Sequence, residues 1–178
     1  MSRRLPILLL AAALCATPVR AQTPQANALS RGFGFGYGSF ACWKSFTCDH
    51  RSLSAYADID KAISAQLLAG FQLNGWLVDR GIRMGAASAV LSFRPLRRGG
   101  LRFKGTLGLS AVKPASEDDM GYSLEFGGAA SFGVAYDIPL SPSMSLSSGI
   151  NVVGTTPVGS IFDESRNMWQ LLIGLTWF

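Results

Sequence analysis

The chain holds one histidine, His50, and three cysteines, which leaves little from which to assemble a metal site or an activated nucleophile. Cys15 lies in an N-terminal apolar run, so Cys42 and Cys48 are the cysteines of the chain proper. Their spacing fits no zinc pattern, even with Asp49 and His50 beside them, and neither metal nor cofactor is expected. Helical periodicity is missing outside that N-terminal run. A clustered basic face is missing as well. Without residues 1–21, which take Arg3, Arg4 and Arg20, the sixteen basic residues fall to thirteen against eleven acidic ones. A net charge of +2 with no Lys/Arg cluster argues against nucleic acid as a partner.

The apolar run from Leu5 to Ala16 is interrupted by Pro6 and bounded by Pro18 and Arg20, short of the roughly 20 residues a membrane helix needs. It follows Arg3-Arg4 and precedes Thr17-Pro18-Val19-Arg20-Ala21, the basic, apolar and cleavable order of a secretory signal. The expected organisation is therefore a signal peptide over 1–21, a short lead over 22–30 and one domain over 31–178.

What that domain has in abundance is alternation. Eight segments of period two can be read, near 31–41, 51–60, 65–75, 84–94, 100–112, 122–138, 143–154 and 167–178. One parity of each is apolar or small, as in Leu67, Ala69, Phe71 and Leu73, or Trp169, Leu171, Ile173, Leu175 and Trp177. The other parity holds Asp58, Asp60, Arg94, Arg102, Lys104, Glu125 and Asp137 among Ser, Gly, Gln and Asn. A charge facing the middle of a bilayer costs about 2–4 kcal/mol, so this segregation predicts a lipid-facing set and a lumen-facing set. Four acids against three bases nearly cancel, and an eight-stranded lumen has room only for side chains; the inner set reads as a salt-bridged plug. Parity alone also admits a soluble lipocalin-like barrel, with the apolar set turned inward around a ligand.

Connections near 61–64, 95–99 and 139–142 are short, whereas those near 42–50, 75–83, 113–121 and 155–166 are longer, and both ends of the domain fall on the short side. Membrane barrels have short periplasmic turns and longer outer loops, which predicts periplasmic termini. Aromatics then form two girdles, Phe93, Phe103, Tyr136 and Trp177 at the periplasmic rim and Tyr122 and Trp169 at the outer one. Cys42 and Cys48 fall in the first outer loop, where an oxidising envelope favours a disulfide. The Glu117-Asp118-Asp119 run reads as a solvated loop tip.

Gly32-Phe33-Gly34-Phe35-Gly36-Tyr37-Gly38 is no nucleotide loop, because glycine alternates with aromatics in a strand and no helix follows. Its aromatics suit lipid and its glycines give inward room to side chains from other strands. With this ladder and the closing Ile173-Gly174-Leu175-Thr176-Trp177, residues 31–178 resemble the small outer-membrane β-barrel domain families of bacteria. The final strand, with Trp169, Leu171, Ile173, Leu175, Trp177 and Phe178, looks like the C-terminal insertion signal of such proteins; Trp177 holds the apolar phase and Phe178 trails it by one. The resemblance implies an all-β, eight-stranded, antiparallel, up-and-down transmembrane barrel. It further implies a bacterial outer-membrane location, surrounding lipid and the outer-membrane assembly machinery as a partner during biogenesis.

For function the expectation is a structural, adhesive or loop-mediated binding role without chemistry, the loop partner being unspecified. One alternative is a narrow conduit for a small solute or apolar molecule. A second follows from His50-Arg51-Ser52, a His-x-Ser triplet that is similar to what lipid A acyl-modifying barrel enzymes use, although nothing in the sequence supplies an orienting third group.

Overall fold

The computed structural model describes residues 28–42, 45–78, 83–95, 100–113, 124–157 and 166–178. The expected signal peptide, the lead as far as residue 27, Tyr122 and the acidic run at 117–119 lie outside them. Eight strands follow one another: β1 (Leu29–Cys42), β2 (Ser45–Ala62), β3 (Leu67–Val78), β4 (Arg83–Phe93), β5 (Leu101–Lys113), β6 (Glu125–Ser141), β7 (Met144–Pro157) and β8 (Arg166–Trp177). Each pairs antiparallel with its neighbour in sequence, and β1 pairs with β8 from Arg31↔Trp177 to Cys42↔Arg166. The result is a closed up-and-down barrel without a free sheet edge.

The apolar parity faces outward. Phe71, Leu107 and Leu109 are 74%, 73% and 72% exposed, and Phe35, Leu53, Leu73, Phe126 and Phe132 lie beside them on the same surface. A water-soluble barrel would bury these side chains, so the lipocalin-like arrangement is excluded by direction. On β3 the outward set runs from Leu67 to Leu77. Ten residue steps of about 3.3 Å at a tilt of 35–45° give a band roughly 25 Å tall, the height of the apolar belt of a membrane barrel.

The strands run on past the limits read from alternation, and this corrects three expectations. Cys48 and His50 stand on β2 and not in a loop: the pairing continues to Phe40↔His50, shifts register once, and reaches Cys42↔Ser45. The Cys42 and Cys48 side chains, and with them the expected disulfide, are outside the described set. Secondly, the first two links opposite the termini shrink to 43–44 and 79–82, leaving 114–124 and 158–165 as the long ones. Short links of the other end survive, closed by bonds from the Leu67 amide to Ser64 Oγ at 3.1 Å and from the Ile63 amide to the Leu67 carbonyl at 2.9 Å. Thirdly, strand charges are not confined to one parity. Arg31, Lys61, Arg83 and Lys113 at strand ends and Arg51 within β2 sit on the outward parity, all exposed, where they frame the apolar band instead of entering it.

Candidate functional site

The lumen is built in two tiers. At the short-link end lies the plug. Asp137 on β6 takes Arg94 Nη2 on one carboxylate oxygen at 3.1 Å and Arg102 Nη2 on the other at 3.1 Å. Ser147 on β7 donates to the same carboxylate at 2.6 Å, accepts from Arg102 at 3.1 Å and lies 3.4 Å from the Thr176 hydroxyl on β8. Lys104 on β5 pairs with Asp58 on β2, and its ammonium lies over the Tyr56 ring, 5.3 Å from the centroid. Strands β2, β4, β5, β6, β7 and β8 are thereby tied through the middle of the barrel. Asp60 is 2% exposed, and its Oδ1 has no hydrogen-bond partner among the described residues. Ala62 and Leu68, each 1% exposed, close the floor beneath it.

The glycines of β1 make this plug fit. A Cβ on Gly32 would overlap the Asp58 carboxylate, and Gly34 and Gly174, paired across the closing seam, are both covered by Tyr56. The Tyr56 side chain thus lies along the inner wall over the adjacent β1 and β8, at positions that project nothing.

At the other end the lumen is apolar. Trp76, Val78, Met84, Ala86, Val112, Ala129, Val153 and Met168 form one buried cluster drawn from β3, β4, β5, β6, β7 and β8. The lumen, expected to be polar, is so only toward the termini, where the inward charges gather; toward the longer links the inward parity is apolar. Beside the plug is a cavity of about 40 Å³, lined by Tyr56, Gln72, Arg102, Lys104, Ser131 and Asn151 among others. That is room for a few water molecules.

Of the seven inward charges read from sequence, Asp58, Asp60, Arg94, Arg102, Lys104 and Asp137 gather in the plug region. Glu125 stands apart, at the start of β6 beside Val112, and its Oε2 has no partner among the described residues. On the outer surface Phe93, Tyr136, Trp169 and Trp177 are exposed and Phe103 is half-buried. Trp177 stacks on Phe33 with centroids 5.3 Å apart. Phe178 does not join this girdle: it follows the inward parity, and its ring lies under the Arg94 guanidinium at 5.1 Å. The terminal aromatic is therefore part of the plug. Ser52 is buried in the lumen and donates to Met168 Sδ at 2.9 Å, so its hydroxyl faces neither solvent nor lipid.

Sequence reading passed over Tyr56, Trp76, Ser147, Met168 and Thr176. Each stands in phase with the inward charges, so following that parity along the whole strand would have found them. What parity could not give is which strands meet across the lumen.

No protein-family model matches the sequence, and comparison with curated proteins finds no match. Solved structures do match. Neisserial surface protein A is 11% identical, with 84% of this chain and 96% of that one covered at a TM-score of 0.59. Ail, the attachment invasion locus protein of Yersinia pestis, is 11% identical over 85% of this chain and 99% of its own, at 0.55. The N-terminal β-barrel domain of Pseudomonas aeruginosa OprF is 12% identical over 86% of this chain and 98% of that one, at 0.52. Identity at this level speaks for fold alone. In strand number, pairing and closure, this chain has the fold of the small eight-stranded outer-membrane β-barrels.

Proposed function

We propose that the protein is an integral outer-membrane barrel with a plugged lumen and no chemistry of its own, acting through the surface formed at the end opposite its termini. The observation that carries the reading is the outer wall: an uncharged apolar band of membrane height, framed at both edges by exposed basic residues. The termini and the short links belong on the periplasmic side. In support, β2 continues from Arg51 to Ser45 beyond the band, and the two long links, 114–124 and 158–165, leave from that same end. Protruding strands and long links offer surface to a partner outside the cell. Among the fold neighbours, Ail has also been solved in complex with the heparin analogue sucrose octasulfate.

A conduit finds less support. The plug and the apolar cluster occupy successive levels of the lumen, and the cavity beside the plug is only about 40 Å³. The lipid-modifying alternative needs a serine that reaches lipid, whereas Ser52 is turned into the wall's interior. Two experiments separate the readings. Purified barrel in planar bilayers should give no conductance steps, and steps abolished by substitution within the plug would favour the conduit. Binding to host or matrix surfaces should be lost when 114–123 or 158–165 is replaced by a short Gly/Ser link and kept in His50→Ala; the reverse pattern would overturn the loop-mediated role.

A further inference from the structure

At the short-link end the charges are sorted by sign as well as by side. The acids there, Asp58, Asp60 and Asp137, all point into the lumen and are buried. The charges that the described wall turns outward at that end are Arg31 and Lys61. Both are exposed, and among the described residues neither makes a salt bridge. They are brought together by register: Leu29↔Lys61 and Arg31↔Ile59 make Arg31 and Lys61 diagonal neighbours on one face of β1–β2. Arg31 also stands opposite Trp177 on β8, which stacks on Phe33. On β2, Lys61 is ten residues from the outward Arg51, with Leu53, Ala55, Ala57 and Ile59 between them. The apolar stretch they enclose has the height of the hydrocarbon core, so Lys61 and Arg31 stand at headgroup depth.

Two neighbouring cations repel each other on a wall that gives them no acid, and the interior acids are screened from them by the barrel backbone. Beside them an indole and a phenyl ring sit where aromatic side chains anchor at a membrane interface. We infer that Arg31, Lys61 and Trp177 form a binding site for the phosphate of an anionic phospholipid in the leaflet at the terminal end of the barrel. The two cations take the headgroup phosphate, a charge-assisted contact in which Arg offers paired donors, and the Trp177–Phe33 stack supports the glycerol and upper acyl region. The partner is a lipid headgroup and not free phosphate, because the aromatic pair and the apolar band continue directly beneath the cations.

This inference rests on the membrane reading, and one experiment distinguishes the two. The full-length protein, with Trp43, Trp76 and Trp169 replaced by Phe so that Trp177 alone reports, is refolded into phosphatidylcholine vesicles containing a minority of phosphatidylglycerol. Either the choline lipid or the glycerol lipid carries bromine on its acyl chain. Enrichment of the anionic lipid at the site, roughly fivefold per cation, should make its brominated form quench Trp177 far beyond its share of the bilayer. Arg31→Gln with Lys61→Gln should return quenching to the bulk ratio, while Arg31→Lys keeps most of the preference. Quenching in proportion to composition in the parent protein, or a preference unchanged in the double variant, overturns the inference while leaving the barrel in the membrane. Quenching by neither lipid overturns the membrane reading itself. Native mass spectrometry of the otherwise unsubstituted chain gives the same test without the Trp replacements: retained phosphatidylglycerol adducts support the site, and equal adducts in the Arg31→Gln/Lys61→Gln protein contradict it.

Discussion

Asp137 is the residue on which most of the plug depends, because its carboxylate serves Arg94 and Arg102 at once and takes the Ser147 hydroxyl besides. Both arginines are buried, at 6% and 4% exposure, so neither can turn to water if the carboxylate is removed. Breaking one partner out of a buried pair leaves an uncompensated charge and costs about 3–5 kcal/mol. Asp137→Asn should therefore destabilise the barrel by about that amount in urea unfolding from phospholipid vesicles. A loss below about 1 kcal/mol, the value of an exposed pair, would show that the plug is hydrated. Replacing Arg94, Arg102 and Asp137 together by apolar residues should cost less than Asp137→Asn alone, since no orphan charge remains. The role of Phe178 belongs to this scale too. One residue beyond Trp177, it changes sides of the wall, and a ring that would have added to the girdle covers Arg94 instead.

Strands were legible because lipid on one side and a narrow lumen on the other impose opposite demands on alternate residues. Where those demands are strong, as along Leu67–Phe71–Leu73 against Gln72, element and direction could both be read. They fade at strand ends. Beyond Arg51 the stretch from Ser45 to His50 carries no apolar alternation in the sequence, yet pairing with β1 continues. This is why Cys48 and His50 read as loop. The inward parity was legible for charge and opaque for contact, since which residues meet across the lumen depends on the shear of the closed barrel, which no local pattern encodes. Trp76 is the clearest case: its inward phase places it in the lumen, but only the register Trp76↔Met84, together with closure, brings it into the cluster with Val112 and Met168. Trp76→Ala should cost about 3–5 kcal/mol in the same unfolding assay, the cost of emptying a large core position. A near-neutral change would mean that the upper lumen is not a packed core.

For the molecule as a whole, the barrel has no conventional core, and its two internal tiers supply what a small lumen can hold. Ion pairs tie strands at the terminal end, apolar side chains fill the other, and the outer wall leaves its burial to the surrounding lipid. The charges follow this division: the acids of the terminal end are inside, Asp58 and Asp137 with their partners, and the bases left outside lie at the edges of the apolar band. The same division explains why a fold could be read where a partner could not. Lipid acts on every strand and so writes a period into the sequence, whereas a loop-bound partner touches segments that carry no repeating constraint. The central claim is that along each strand one set of alternate residues meets hydrocarbon while the other faces a closed interior, the outward set being odd-numbered on β3. It is tested most directly by single cysteines at successive positions from 67 to 78 on β3, in a chain whose Cys15, Cys42 and Cys48 are serine, labelled with an environment-sensitive fluorophore after refolding into bilayers. Labels at 67, 69, 71, 73, 75 and 77 should be quenched by a lipid-soluble quencher, and those at even positions should not. Quenching at the even positions, or none at either, would contradict the account.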